Sequence, residues 1–153
     1  MRWSNFLHIY QPPTQKPFWI HKITAESYRP ILKQLKEFPK AKLTLNANGI
    51  LLDHFDKYGE DDVLQLMRDL LERGQLELTG SAKYHPLLPF LPENEVIRQI
   101  KLNEETHRKY FGDLHKPKGF FPPEMGFSKE VAGKILWVYV NRRNICDAFP
   151  RLT

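Results

Sequence analysis

Apolar and polar residues alternate or recur along this chain with two periods, and the order of those periods predicts the architecture. "WSNFLHIYQPP" reads as a strand over about residues 3–10, ended by Pro12 and Pro13, which cannot donate to a sheet ladder. A polar, proline-containing loop is expected through Lys16 and Pro17. Tyr28, Ile31, Leu32, Leu35 and Phe38 then recur at helical spacing, with Ser27 as a cap, Pro30 in the first turn and Pro39 as the stop. "AKLTLNANG" alternates as a second strand closed by Gly49. "EDDVLQLMRDLLERG" is an amphipathic helix with an acidic first turn, an apolar face of Val63, Leu66, Met67, Leu70 and Leu71, and Arg73 and Gly74 at its end. "QLELTGSA" predicts a third strand, Glu93 to Phe111 a third helix, "KGFF" a fourth strand and Ser128 to Leu136 a short helix. Strand and helix alternate throughout. That order predicts an α/β fold of parallel strands joined by crossover helices.

The C-terminal segment breaks the pattern. "GKILWVYVNRRNICDAFPRLT" passes from helix into the apparent strand "WVYV" with no turn residue between them, although such connections usually take a few residues. The expectation is an atypical tail over about residues 137–153, whether native, truncated or frame-shifted, and an unfinished sheet edge that leaves the isolated chain marginally stable or self-associating.

Composition narrows the function classes. Hydrophobic residues make up 41% of the 153 residues, enough for a real core. The single cysteine, Cys146, excludes an internal disulfide framework and a cysteine-based zinc site, and fits a reducing, cytoplasmic location. No run approaches the roughly 18 apolar residues of a membrane span, and no basic segment leads into an apolar leader core. The net charge of +5 suggests nucleic acid, but +3 of it falls after Ser128 and the rest is interleaved with glutamates along helices, so a solvated mixed-charge surface is the better reading.

In parallel α/β folds, ligands gather at the carboxyl ends of the strands. There this sequence puts His8, Tyr10 and Gln11; Asn46 and Asn48; Glu77, Ser81, Lys83, Tyr84 and His85; and Glu124. Carboxylates, amides, histidines and aromatic rings together are what a sugar site uses. No GxGxxG or P-loop pattern follows a strand, no serine sits in a GxSxG elbow, and no two histidines lie at i,i+3 or i,i+4. Neither cofactor nor metal is expected. "FFPPEMGFS" carries one feature more: two prolines stop the strand and hold Glu124 out of it on a stiff backbone.

Three stretches, "LHIYQPP", "GQLELTGSAKYHPLLP" and "GFFPPEMGFS", resemble the first three conserved blocks of glycoside hydrolase family 57, in the family's order and at similar separations over roughly residues 3–136. The resemblance implies part of an incomplete, seven-stranded (β/α) barrel with a retaining mechanism on α-glucans or maltooligosaccharides and no metal in the reaction. By position, Glu124 matches the family's catalytic nucleophile, Glu77 a glutamate beside the substrate, His8 a substrate-contacting histidine and Phe121 an aromatic three residues before the nucleophile. His85 is read either as a sugar contact or as part of a rigid loop. Tyr10 fills a position that is often a second histidine in the family, altering a donor in the pocket. The family's general acid is an aspartate in a later block. The only aspartate after Glu124 is Asp147, too close and in no matching context. Three readings are open: a catalytic-domain fragment inactive alone, a non-catalytic carbohydrate-binding remnant, and a basic nucleic-acid module that rests on charge alone. In the first two, His8, Glu77 and Glu124 are expected to share one rim within roughly 10 Å.

Overall fold

The structure, a computed structural model, describes residues 5–142. Strands β1 (Phe6–Ile9), β2 (Leu43–Ala47) and β3 (Leu76–Leu78) form a parallel sheet in the order β1-β2-β3. The register pairs Phe6 with Thr44, His8 with Asn46, and Thr44 with Glu77. The alternation read from the sequence sorts the two faces. Ile9, Leu43, Leu45, Ala47, Leu76 and Leu78 are buried in one cluster with Leu32, Leu35, Leu51, Phe55, Met67 and Leu70 from the helices. Each of the larger side chains, Leu, Ile, Phe or Met, once buried stabilises the fold by about 1.5–3 kcal/mol.

The fourth strand is reduced to one parallel bridge, Gly80 with Phe120. Gly80 N–H donates to the Gly119 carbonyl and Phe121 N–H to the Gly80 carbonyl, both at 2.9 Å. Pro122 and Pro123 come next with no N–H to offer, so the ladder cannot lengthen.

Helix α4 (Asp61–Glu72) and helix α5 (Glu93–Phe111) fall where the periodicity puts them. Three helical expectations need correction. First, the chain is already helical at Pro17: α1 (Pro17–Ile23) continues through a π-type turn (Thr24–Tyr28) into α2 (Arg29–Glu37). Pro17 sits at the first helical position, where its missing N–H is harmless. Ser27 is inside the wide turn and caps nothing. There Arg29 N–H reaches back five residues to the Thr24 carbonyl, just ahead of Pro30, which cannot donate. Second, Gly49 opens a helix, α3 (Gly49–Lys57), instead of only closing a strand. Its N–H donates to Asn103 Oδ1 at 2.8 Å, and a Cβ there would stand 3.0 Å from Thr106 Cβ, so the close approach of α5 favours glycine. Third, α6 (Lys129–Arg142) runs straight through "WVYV", which is therefore not a strand. With no turn residue to stop it, the helix continues, and Val138 is buried in a second cluster with Val131, Val96 and Ile100. Ser128 caps α6 as its sequence suggests, its Oγ accepting from Val131 N–H at 3.3 Å. The expected tail beyond residue 142, with Cys146 and Asp147, lies outside the described residues, as does the start of β1's predicted run at residues 3–4.

Among the described residues, no helix is long and apolar enough to cross a membrane, and no group of three His, Cys, Asp or Glu could hold a metal ion.

Candidate active site

Opposite the helix-covered face, the strands present a second set of side chains in layers, because residues two apart share a face. Phe6, Thr44 and Glu77 form the lowest layer by register. The next is hydrogen-bonded from β1 through β2 to the residue that follows β3: Asn46 Oδ1 accepts from His8 Nδ1 at 2.7 Å, and Asn46 Nδ2 donates to Thr79 Oγ1 at 3.0 Å. With Asn46 fully buried, that pair fixes the His8 ring and leaves His8 carrying its Nδ1 proton. Above it, Asn48 Nδ2 donates to Ser81 Oγ at 3.3 Å and to the Ala82 carbonyl at 2.6 Å.

The rim at the carboxyl ends of the strands is an aromatic cluster around His85. Tyr10 stacks on it with ring centroids 4.4 Å apart, and His8 lies 4.9 Å away. Phe121 continues the row, 5.5 Å from His8 and 5.1 Å from Phe6. The Tyr10 hydroxyl points to the Tyr84 carbonyl at 3.5 Å, the long limit for a hydrogen bond.

Glu124 is displayed beside this cluster. Pro122 and Pro123 lead into a tight turn in which Met125 N–H donates to the Pro122 carbonyl and Gly126 N–H to the Pro123 carbonyl, each at 3.0 Å. Glu124 and Met125 both take left-handed backbone angles, φ +55° and +54°, as does His85 at +56°. Such conformations cost non-glycine residues about 1–2 kcal/mol each, so packing elsewhere holds the turn. The Glu124 side chain is 70% exposed, and its Oε1 is 3.4 Å from Nδ1 of His85, which is only 5% exposed.

Burial above all, then the neighbouring His8, lowers the His85 pKa; the Glu124 charge offsets this only in part. The imidazole is thus neutral near pH 7, with Nδ1 facing the Glu124 carboxylate and the buried Nε2 without a hydrogen-bond partner. Burial, and next the Glu124 charge, raises the Tyr10 pKa, keeping the phenol protonated. A neutral imidazole and phenol near one open carboxylate leave its charge uncompensated.

Of the residues singled out in the sequence, His8, Tyr10, His85, Phe121 and Glu124 come together. Glu77 does not reach the rim. It points to the same side of the sheet as His8 but two strands across and one layer lower, 3.7 Å from Lys118 Nζ. There it lines a cleft of about 450 Å³ at the amino ends of the strands with Lys42, Lys116 and Lys118. Three site-building contacts escape sequence reading: Asn46 with Thr79, Asn48 with Ser81, and Ser81 Oγ donating to the Phe121 carbonyl at 2.9 Å. Their signal is the run of polar residues two apart, 46 and 48 beside 79 and 81, but pairing them requires the register.

Comparison with known proteins gives the family and the fold. The family described as Glycosyl hydrolase family 57 matches residues 4–136. An alpha-amylase of Pyrococcus horikoshii is 31% identical over 108 residues, 69% of this chain and 17% of that protein. A 4-alpha-glucanotransferase of Thermococcus litoralis is 32% identical over 103 residues, 67% of this chain and 16% of that protein. The crystal structure of 4-alpha-glucanotransferase from Thermococcus litoralis superposes with a TM-score of 0.81 at 27% identity, covering 88% of this chain and 21% of that one. This chain therefore spans about a sixth of the length of the curated relatives it matches. With a parallel α/β fold shared and the family's sequence matched across most of its length, the chain belongs to glycosyl hydrolase family 57.

Proposed function

We propose that this chain forms the opening strands and the nucleophile of a retaining, α-glucan-active catalytic domain. The observation that carries the reading is the Glu124 carboxylate, held on a left-handed turn against buried, neutral His85 at the carboxyl end of the sheet. Strand neighbours keep chain order, β1-β2-β3 and then the Gly80–Phe120 bridge, as successive strands of a (β/α)7-type barrel would. Tyr10 and Phe121 offer ring faces to the apolar side of a sugar, and His8 offers a polar edge.

In the reaction, a Glu124 oxygen attacks the anomeric carbon as that carbon's bond to the leaving oxygen breaks. An acid from outside residues 5–142 protonates the leaving oxygen. Its conjugate base then takes a proton from water or an acceptor hydroxyl, whose oxygen displaces Glu124 and restores the carboxylate. No cofactor enters. On this reading residues 5–142 do not supply that acid, and the chain's own turnover of maltooligosaccharide should be negligible, because acid–base assistance normally supplies about 10²–10⁴-fold.

A 5-fluoro-α-glucosyl fluoride tests the reading, since its fluoride leaves without protonation and its ring fluorine slows the second step. Peptide mass spectrometry should find a glycosyl adduct on Glu124, lost in Glu124→Gln. An adduct on another carboxylate, or none, overturns the nucleophile assignment. Glucan binding without any adduct would instead mark a non-catalytic carbohydrate-binding rim, a reading favoured by Tyr10 standing where the family often has histidine.

A further inference from the structure

Beneath the Glu124 turn runs a polar strut that takes no part in the bond changes of catalysis. Ser81, fully buried, donates its hydroxyl to the Phe121 carbonyl at 2.9 Å and accepts from Asn48 Nδ2 at 3.3 Å. Asn48 is itself fully buried and fixed by its 2.6 Å bond to the Ala82 carbonyl. The next residue, Gly49, is tied to Asn103 of α5. A continuous series of side-chain and backbone bonds thus links α5, the end of β2, the end of β3 and Phe121.

The two prolines after Phe121 make this link consequential. Phe121 N–H is held by the Gly80 carbonyl, but Pro122 and Pro123 have no N–H, and their φ angles are locked. From Phe121 to Glu124 the chain acts as a stiff arm, at most roughly 10 Å long, with no ladder bond along it. A tilt of roughly 10° at its base would move the carboxylate relative to His85 by roughly 1–2 Å, and a misplacement of about 1 Å can cost a reaction about a hundredfold.

We infer that Ser81 is a positioning residue for Glu124: its hydroxyl, oriented by Asn48, fixes the Phe121 carbonyl and thereby sets the carboxylate against His85. For its effect on rate the inference rests on the nucleophile reading; for its geometry it does not.

The test uses both sides of that distinction. NMR titration of the His85 imidazole, which faces His8, Tyr10 and Glu124, is compared between the unmodified chain and Glu124→Gln, then between Ser81→Ala and the Ser81→Ala/Glu124→Gln pair. The first pair should differ by about 0.5–1 pH unit, the scale of one carboxylate acting across a partly screened contact. The second pair should differ by less than half as much. Labelling of Glu124 should slow roughly tenfold in Ser81→Ala and return in Ser81→Thr, which keeps the hydroxyl. If Ser81→Ala does not fold, Ser81→Cys, similar in volume and a weaker donor, gives the same comparison with a smaller loss. Equal His85 differences in both pairs, or unchanged labelling in Ser81→Ala, overturns the positioning role. A Glu124 never labelled, with the His85 difference still dependent on Ser81, supports the positioning role and overturns the nucleophile reading.

Discussion

On one face of the sheet, Leu45, Ala47 and Leu78 are sealed beneath α2, α3 and α4; on the other, built from the same three strands, Phe6 and His8 are exposed and Glu77 is half-buried. Ile9, Leu45, Ala47 and Leu78 of the first face are buried in one apolar cluster with side chains of the helices behind them. Those of the second are tied laterally by amide, hydroxyl and imidazole bonds from strand to strand. The difference teaches where each property resides. Burial on the helix side supplies the stability, which allows the other side to carry polar and strained groups suited to chemistry.

The comparison can be broken by substitution on either face. Phe55, with no exposed surface, packs in the sealed cluster and meets Tyr28 edge-on at 6.0 Å. Phe55→Ala should cost about 3–5 kcal/mol in denaturant unfolding, enough to unfold much of the chain. A loss below about 1 kcal/mol would show that the helix side is not the stabilising face.

A second test uses acid. His107 on α5 is wholly buried, its ring 4.5 Å from that of His115, and burial first, then the His115 charge, pulls its pKa down to about 4. The unfolded chain, with an ordinary histidine near 6.5, takes up this proton before the folded chain does. The stability contribution is therefore complete above about pH 6.5 and is lost as pH falls toward 4, by up to about 3 kcal/mol. Urea unfolding from pH 7.5 to 4.5 measures it, and His107→Gln should flatten the dependence. A parallel decline in the variant would assign the acid sensitivity to other groups.

The smallest effect belongs to the open face. Phe6 is 44% exposed and touches Phe121. Phe6→Ala should cost less than about 1 kcal/mol in the same unfolding measurement. A cost near that of Phe55→Ala would mean that the two faces contribute alike.

Particular residues show how far the sequence could be read. The strict alternation of "LTLNA" and the 3.6-residue period of "VLQLMRDLL" each specify an element locally, so β2 and α4 were legible. Gly49 was not. Read along the chain it is a stop, but its missing Cβ answers to Thr106, 57 positions away, and only the tertiary contact shows that a helix begins there. An apolar run such as "WVYV" has no periodicity that separates buried helix from strand, and the absence of a turn before it was the better clue. For the site, chemistry-bearing residue types near strand ends brought out His8, Tyr10, His85 and Glu124, and the family resemblance added Phe121. Alternation with Leu76 and Leu78 also sets which way Glu77 faces. Its height in the sheet depends on the register with Thr44, which the sequence does not carry. The same register decides that Asn46 meets Thr79 and that Asn48 meets Ser81.

If the proposed function holds, the upper edge of the open face, and not the cleft below it, receives α-glucan. Amide and side-chain NMR of the unmodified chain during titration with maltoheptaose tests this without relying on turnover. Saturating shifts are expected at His8, Tyr10, His85, Phe121 and Glu124, with Lys42, Glu77 and Lys118 unmoved. Shifts confined to the lower cleft, or none at millimolar maltoheptaose, would contradict it.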